Sequence, residues 1–145
     1  MLKGIPNILP PELLKILMEM GHGDSIVIGD GNFPHASIAG DSPLVRMDGH
    51  GGEKVLEAVL SLIPLDTYAD QNFLLMEKVP GDDCLTPIWD SYQAIAEAAE
   101  GGNVKKGFLE RFEFYNRAKN AYAVIATGES ALYANIIIKK GVIKQ

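Results

Sequence analysis

One short run of the chain, Ile26–Ile28 within SIVIGD, is apolar without alternation. A strand with one face in water alternates polar and apolar residues, so an unbroken run belongs at the centre of a sheet covered on both faces. The stretch before it, LPPELLKILMEMGHG, carries Leu13, Leu14, Leu17 and Met20 at helical spacing. Pro11 suits the first turn of that helix, and Gly21 or Gly23 its stop. GGEKVLEAVLSLIP repeats the helical pattern through Val55, Leu56, Val59, Leu60 and Ile63. TPIWDSYQAIAEAAEGG does so between a cap at Thr86 and a stop at Gly101-Gly102. NFLLMEKV reads as a strand, RFEFYNRAKNAY as a fourth helix, and GNFPHASIAGDSP as loop. AVIATGE and ANIIIKKG read as two strands separated by a turn at Thr127-Gly128-Glu129. Strands alternating with helices give an α/β class: a single domain over residues 1–145, with a mostly parallel sheet and helices on both faces.

Composition narrows the function classes. With 145 residues, 47% of them apolar and 22% charged, the chain supports one core and is neither disordered nor membranous. The net charge is −6, and the only lysine clusters are the pairs Lys105-Lys106 and Lys139-Lys140. Nucleic-acid binding needs more clustered cations than that. The one cysteine, Cys84, allows no disulfide within the chain, and Asp82 and Asp83 beside it raise a thiol pKa and weaken the nucleophile. Lys3, Glu12, Lys15 and Glu19 interrupt any signal-peptide core, and no apolar stretch is long enough to span a bilayer, so a cytoplasmic protein is expected.

Several chemical signatures are missing. There is no dinucleotide fingerprint, no P-loop and no nucleophile elbow. The glycines of DGHGGEK suit a turn better than an anion site at the helix start. His22, Asp24, Asp30, His35 and His50 include metal-binding residue types, but their spacing matches no familiar ligand set. What remains is a loose group near strand ends: His22, Asp30, Arg111, Tyr133 and Asn135. In open α/β sheets, ligands gather at the carboxyl ends of strands. Asp30 is as well suited to capping a turn, His22 to a helix end and Tyr133 to packing.

LPPELLKILMEMGHGDSIVIGDGNFP, RFEFYNRA and TGESALYANIIIKKG together resemble the L-fucose mutarotase family, relatives of the D-ribose pyranases, over Met1 to Gly141. The G-H-x-D…D-x-x-F-P string and the closing Y-x-N-I block carry the likeness in combination. The resemblance implies an isomerase that interconverts the anomers of a free monosaccharide, L-fucose, without cofactor or metal. It implies that His22 is the acid/base residue, that Asp30 and Arg111 bind sugar hydroxyls, and that Tyr133 and Asn135 line the same pocket. It also implies a ring-shaped homo-oligomer, a decamer, with sites at subunit contacts. Arg111-Phe112 follows the fucose branch, where the ribose branch has histidine. Ala134 is familiar from the ribose branch, and Gly31 replaces the usual alanine.

The chemistry fits these residue types. Mutarotation protonates the ring oxygen and deprotonates the anomeric hydroxyl, both general acid–base steps. Histidine gives or takes a proton near neutrality, and Asp30 and Arg111 can fix hydroxyls by charge-assisted hydrogen bonds. His22 and Asp30 lie eight residues apart, roughly 25 Å if fully extended at ~3.3 Å per residue. Either the flanking glycines curl both ends to one side or the site is shared between subunits. Phe112, Phe114, Tyr115 and Tyr122 supply apolar surface for an interface or for the core. The alternatives are a D-ribose pyranase-type mutarotase, a cytoplasmic sugar-binding sensor without turnover, and a metal-dependent aldolase or isomerase. His35, after Pro34 in a loop, is expected to be solvated, and whether His35 or His50 touches the substrate stays open.

Overall fold

A computed structural model describes all residues, 1–145. The chain runs α1 (Pro11–Glu19), β1 (Ser25–Gly29), α2 (His35–Ala39), β2 (Leu44–Met47), α3 (Gly52–Leu60) and β3 (Phe73–Met76). It continues α4 (Pro87–Glu100), a 3₁₀ turn (Gly101–Asn103), β4 (Lys106–Leu109), α5 (Arg111–Lys119), β5 (Ala123–Thr127) and β6 (Ile136–Lys139). The six strands form one sheet in the order β2-β5-β1-β6-β3-β4. β1 pairs in parallel with β5, β5 with β2, and β3 with β4. β6 lies antiparallel between β1 and β3 and is the only strand that opposes the others.

The unbroken apolar runs follow from helices on both faces. Ile26 and Ile28 of β1 enter a core shared with α1, α3 and α4, whereas Val27 enters a second core with α2 and α5. β6 divides likewise, Ile136 and Ile138 to the first core and Ile137 to the second, as does β3, with Phe73 and Leu75 against Leu74 and Met76. Every side chain on these central strands therefore meets an apolar partner, and alternation has no role. The stripes of α1 and α3 pack as their spacing indicates, with Ile16 rather than Leu14 completing the buried side of α1.

Local details depart from the sequence reading. Residues 31–43 are not all loop, because His35–Ala39 form one short helix. β4 is a strand on the sheet edge with Phe108 exposed, so it lacked the apolar run that marks the central strands. Thr86 occupies the cap position of α4 but its hydroxyl makes no capping bond. α1 ends in extended backbone at Met20, and Gly23, at φ +89°, makes the turn into β1. Tyr122 lies beyond α5, bonded to Glu19. The link between β5 and β6 is longer than a tight turn, covering residues 128–135.

Candidate active site

A cavity of about 290 Å³ opens where β1 and β3 end and β6 begins. Because β6 runs against its neighbours, its first residues meet the carboxyl ends of the others, the usual ligand position in an α/β sheet. Asp30, Arg111, Tyr133 and Asn135 all line this cavity, with Phe33, Met76, Asp82 and Tyr115 among the other walls. Four residues singled out from the sequence thus converge from three separate segments. The volume lies near the small end of ligand pockets, roughly 300–1,000 Å³, which suits a single small molecule.

Asp30 is buried and held by backbone. Its Oδ1 accepts the Asn32 N–H (2.9 Å) and its Oδ2 the Ala134 N–H (3.2 Å). Its own N–H donates to Asn135 Oδ1 (2.8 Å). Burial pushes the Asp30 carboxyl above the ordinary aspartate range, and the N–H donors only partly offset that. Asp30 thus caps the following turn and also forms part of the cavity wall. With Asn135 Oδ1 committed to Asp30, the amide NH₂ is the end of that side chain free to donate.

Arg111 is the first residue of α5, a helix capped by the Glu110 carboxylate, which accepts the N–H groups of Phe112 and Glu113. Its Nε donates to the Tyr115 hydroxyl (3.1 Å), and its guanidinium lies over the rings of Phe112 and Tyr115. The two remaining guanidinium nitrogens keep their donors. Tyr133 is the only non-glycine residue at positive φ, +56°. Such backbone costs on the order of 1–3 kcal/mol and persists where its surroundings over-determine it. Here Trp89 Nε1 donates to the Tyr133 carbonyl (2.8 Å), and the phenol is bonded at its far end to Val79 and Asp82.

His22 is not in this cavity. It precedes β1, while Asp30 follows it, and the strand alone spans about 13 Å at the usual rise. The glycines do not curl both ends to one side. His22 Nε2 instead lies 2.9 Å from Oδ1 of buried Asp66, with Tyr68 tilted against the imidazole. Burial alone would raise the Asp66 carboxyl, but bonds from His22 and the Tyr68 N–H outweigh it and hold it below the usual range. The buried Asp66 carboxylate thus fixes the orientation of a half-exposed imidazole.

Sequence reasoning missed Asp66, Asp82 and Tyr115 as site residues. Tyr115 had a readable signal, since it stands four residues after Arg111 on one helix face. Asp66 had none, being brought to His22 only by the sheet. His35 corrects the expectation of a solvated residue: it is buried against Phe33, with no hydrogen-bond partner for Nε2. His50 sits in the turn before α3, where its carbonyl accepts the Gly128 N–H. The N-terminus of α3 is filled from within, the Gly52 N–H donating to the Glu129 carboxylate (3.0 Å). The Cys84 thiol is pushed up by burial and by Asp82, as the flanking acids suggested. No group of three or more His, Cys, Asp or Glu side chains is placed to hold a metal ion, and no helix is long and apolar enough to cross a membrane.

Comparison with known proteins gives a consistent result. Residues 3–143 match the RbsD / FucU transport protein family. A fucose mutarotase of Bos taurus is 53% identical over 98% of this chain and 94% of its own length. The crystal structure of FucU from Bifidobacterium longum superposes with a TM-score of 0.95 at 59% identity, covering 98% of this chain and all of that one. The Streptococcus pneumoniae fucose mutarotase, solved in complex with L-fucose, gives a TM-score of 0.92 at 48% identity, over 99% of this chain and 100% of that one.

Proposed function

The chain belongs to the RbsD / FucU transport protein family, and from that premise we propose that it interconverts the α and β anomers of free L-fucose by opening and closing the sugar ring. The observation that carries this is the convergence of Asp30, Arg111, Tyr133 and Asn135 around one cavity of monosaccharide size, in a chain whose relatives are fucose mutarotases over nearly their full length. The relatives favour neither the ribose-directed alternative nor a sensor without turnover.

Each residue has a part in the chemistry. Ring opening delivers a proton to the ring oxygen and takes one from the anomeric hydroxyl, and each such transfer is worth about 10²–10⁴-fold when well positioned. Asp30 accepts sugar hydroxyls, while the free guanidinium N–H groups of Arg111 and the Asn135 amide donate to sugar oxygens. Tyr115 accepts from Arg111 and so keeps its own proton free for the pocket.

His22 supplies an acid–base group alongside the Tyr115 hydroxyl, and it does so from a neighbouring subunit. Two observations support this: the distance from the cavity within one chain, and the apolar residues around both places. Val79 and Leu132 stand exposed in the cavity wall, with exposed Phe112 stacked under Arg111. Tyr68 stands exposed against His22, near the exposed Val142 and Ile143 of the segment whose Lys144 lies over the Tyr68 ring. Joined head to tail, such unlike patches make a heterologous contact, which forms a ring where its rotation closes, and we infer the ring-shaped homodecamer that the family resemblance implies. The single cysteine, without a disulfide partner, supports a reducing, cytoplasmic compartment.

The test is exchange NMR on the anomeric protons of L-fucose, with D-ribose alongside and EDTA present. Protein-dependent exchange of fucose anomers is expected. Exchange with ribose alone would move the assignment to the ribose branch, and sugar line broadening without exchange would leave a binder.

A further inference from the structure

Tyr133 makes three hydrogen bonds before any ligand arrives. Its carbonyl accepts from Trp89, its hydroxyl oxygen accepts from the Val79 N–H (3.2 Å), and its hydroxyl proton goes to Asp82 Oδ2 (2.7 Å). The direction of the last bond is fixed by chemistry. An ionised carboxylate can only accept, a backbone N–H can only donate, and a phenol has one proton. Asp82 is itself anchored, with Oδ1 accepting the Cys84 N–H (3.0 Å) on the segment linking β3 to α4. Both Asp82 and Tyr133 line the cavity.

We propose that Asp82 is a positioning residue that sets the hydrogen-bond polarity of Tyr133, so that the phenol accepts from a hydroxyl of the bound sugar and never donates to it. This rests on the cavity being the sugar site. The phenol has one lone-pair direction left for the ligand, and the ligand must supply a donor there. Tyr133 is thereby a specificity group rather than a proton source, and the task of donating within this pocket falls to other side chains. The same bond explains how a tyrosine keeps its strained backbone, because both ends of the residue are tied to the β3–α4 segment and helix. The carboxylate's hold on the phenol proton also raises the phenol pKa, in keeping with that direction.

The experiment compares the wild type with Asp82→Asn, Tyr133→Phe and the double variant. Asparagine keeps the shape of the loop, but its NH₂ facing the phenol donates, turning the phenol proton toward the pocket. KM for L-fucose is expected to rise about fivefold to tenfold in each single variant, as for loss of one hydrogen bond, with kcat within about twofold. The double variant is expected to be no worse than Tyr133→Phe. In sugar-free protein, ultraviolet titration at the phenolate band should show the Tyr133 component, identified by its loss in Tyr133→Phe, ionising at lower pH in Asp82→Asn. A wild-type KM in Asp82→Asn, effects that multiply in the double variant, or an unmoved Tyr133 titration would each overturn the proposal. Absence of L-fucose exchange in the wild type would instead overturn the reading of the site, and the sugar-free titration separates the two failures.

Discussion

The imidazole of His22 sits 2.9 Å from the buried carboxylate of Asp66, at the opposite end of β1 from Asp30. One small sugar cannot touch both within a chain, so catalysis by both requires two chains. Coexpressing His22→Gln with Asp30→Asn tests this directly. Each variant alone should lack anomer exchange. In random mixed rings with head-to-tail contacts, roughly a quarter of the sites would pair an intact His22 with an intact Asp30. Recovery of about that share of the wild-type exchange rate is expected. No recovery, in mixed rings shown to contain both variants, would put the whole site inside one chain or remove His22 from it.

His35 gives the fold a pH dependence. Its ring is buried against Phe33, and burial lowers its pKa, with Arg46 acting the same way and the Gly29 backbone, Asp30 and Asp48 opposing. The unfolded chain then binds a proton that the folded chain resists. Stability linked to His35 is complete above the unfolded histidine pKa of about 6.5 and declines as pH falls below it. Urea unfolding midpoints measured from pH 8 to pH 5 should drop on the acid side, and His35→Leu should flatten that drop. An equally steep decline in His35→Leu would assign it to other groups.

How much of this was legible in the sequence depended on whether a residue's partner was local. The central strands announced themselves because two cores make every position apolar, as at Ile26, Val27 and Ile28. Arg111 and Tyr115 were within reach of helix periodicity. β4 was not, since an edge strand with Phe108 exposed and Gly107 packed on Gln71 has no periodic signature. Asp66 and Asp82 owe their places to His22 and Tyr133, 44 and 51 positions away. Nothing in either local stretch encodes those pairings. The resemblance places His22 in the site, whereas the strand geometry separates it from the cavity within one chain, and the proposed shared site would reconcile the two.

Gly52 links the stability of α3 to the pocket. A Cβ at that position would collide with the Tyr92 hydroxyl, and that hydroxyl donates to the carbonyl of Ala134, between Tyr133 and Asn135. Gly52→Ala should cost about 1–3 kcal/mol, as overpacking does, and Tyr92→Phe about 1 kcal/mol for its hydrogen bond. Removing the hydroxyl also removes the collision, so the double variant should be more stable than the sum of the two losses. Denaturant unfolding of all four proteins measures the coupling, and strict additivity would mean that α3 yields to the added methyl in another direction.

Arg111 and Tyr115 act as a pair in which one group holds the other. Arg111 Nε is committed to the Tyr115 hydroxyl, and the guanidinium plane rests on two aromatic rings, 5.4 Å from the centroid of Phe112 and 5.5 Å from that of Tyr115. Lysine keeps the charge but has neither the fork nor the plane, so it cannot bond Tyr115 and present two further donors in fixed directions. A hydrogen bond to a charged group contributes about 1.5–3 kcal/mol, roughly 10–150-fold in affinity. Arg111→Lys should therefore raise KM for L-fucose by about tenfold or more. Tyr115→Phe removes the hydroxyl whose proton is free to reach the sugar. It should lower kcat by about 10²-fold, the lower end of the general acid–base range, while KM changes less. Anomer-exchange kinetics over a range of L-fucose concentrations separate the two parameters. A Tyr115→Phe enzyme with wild-type kcat and raised KM would make Tyr115 only the anchor of Arg111, and the proton would then have to come from His22 alone.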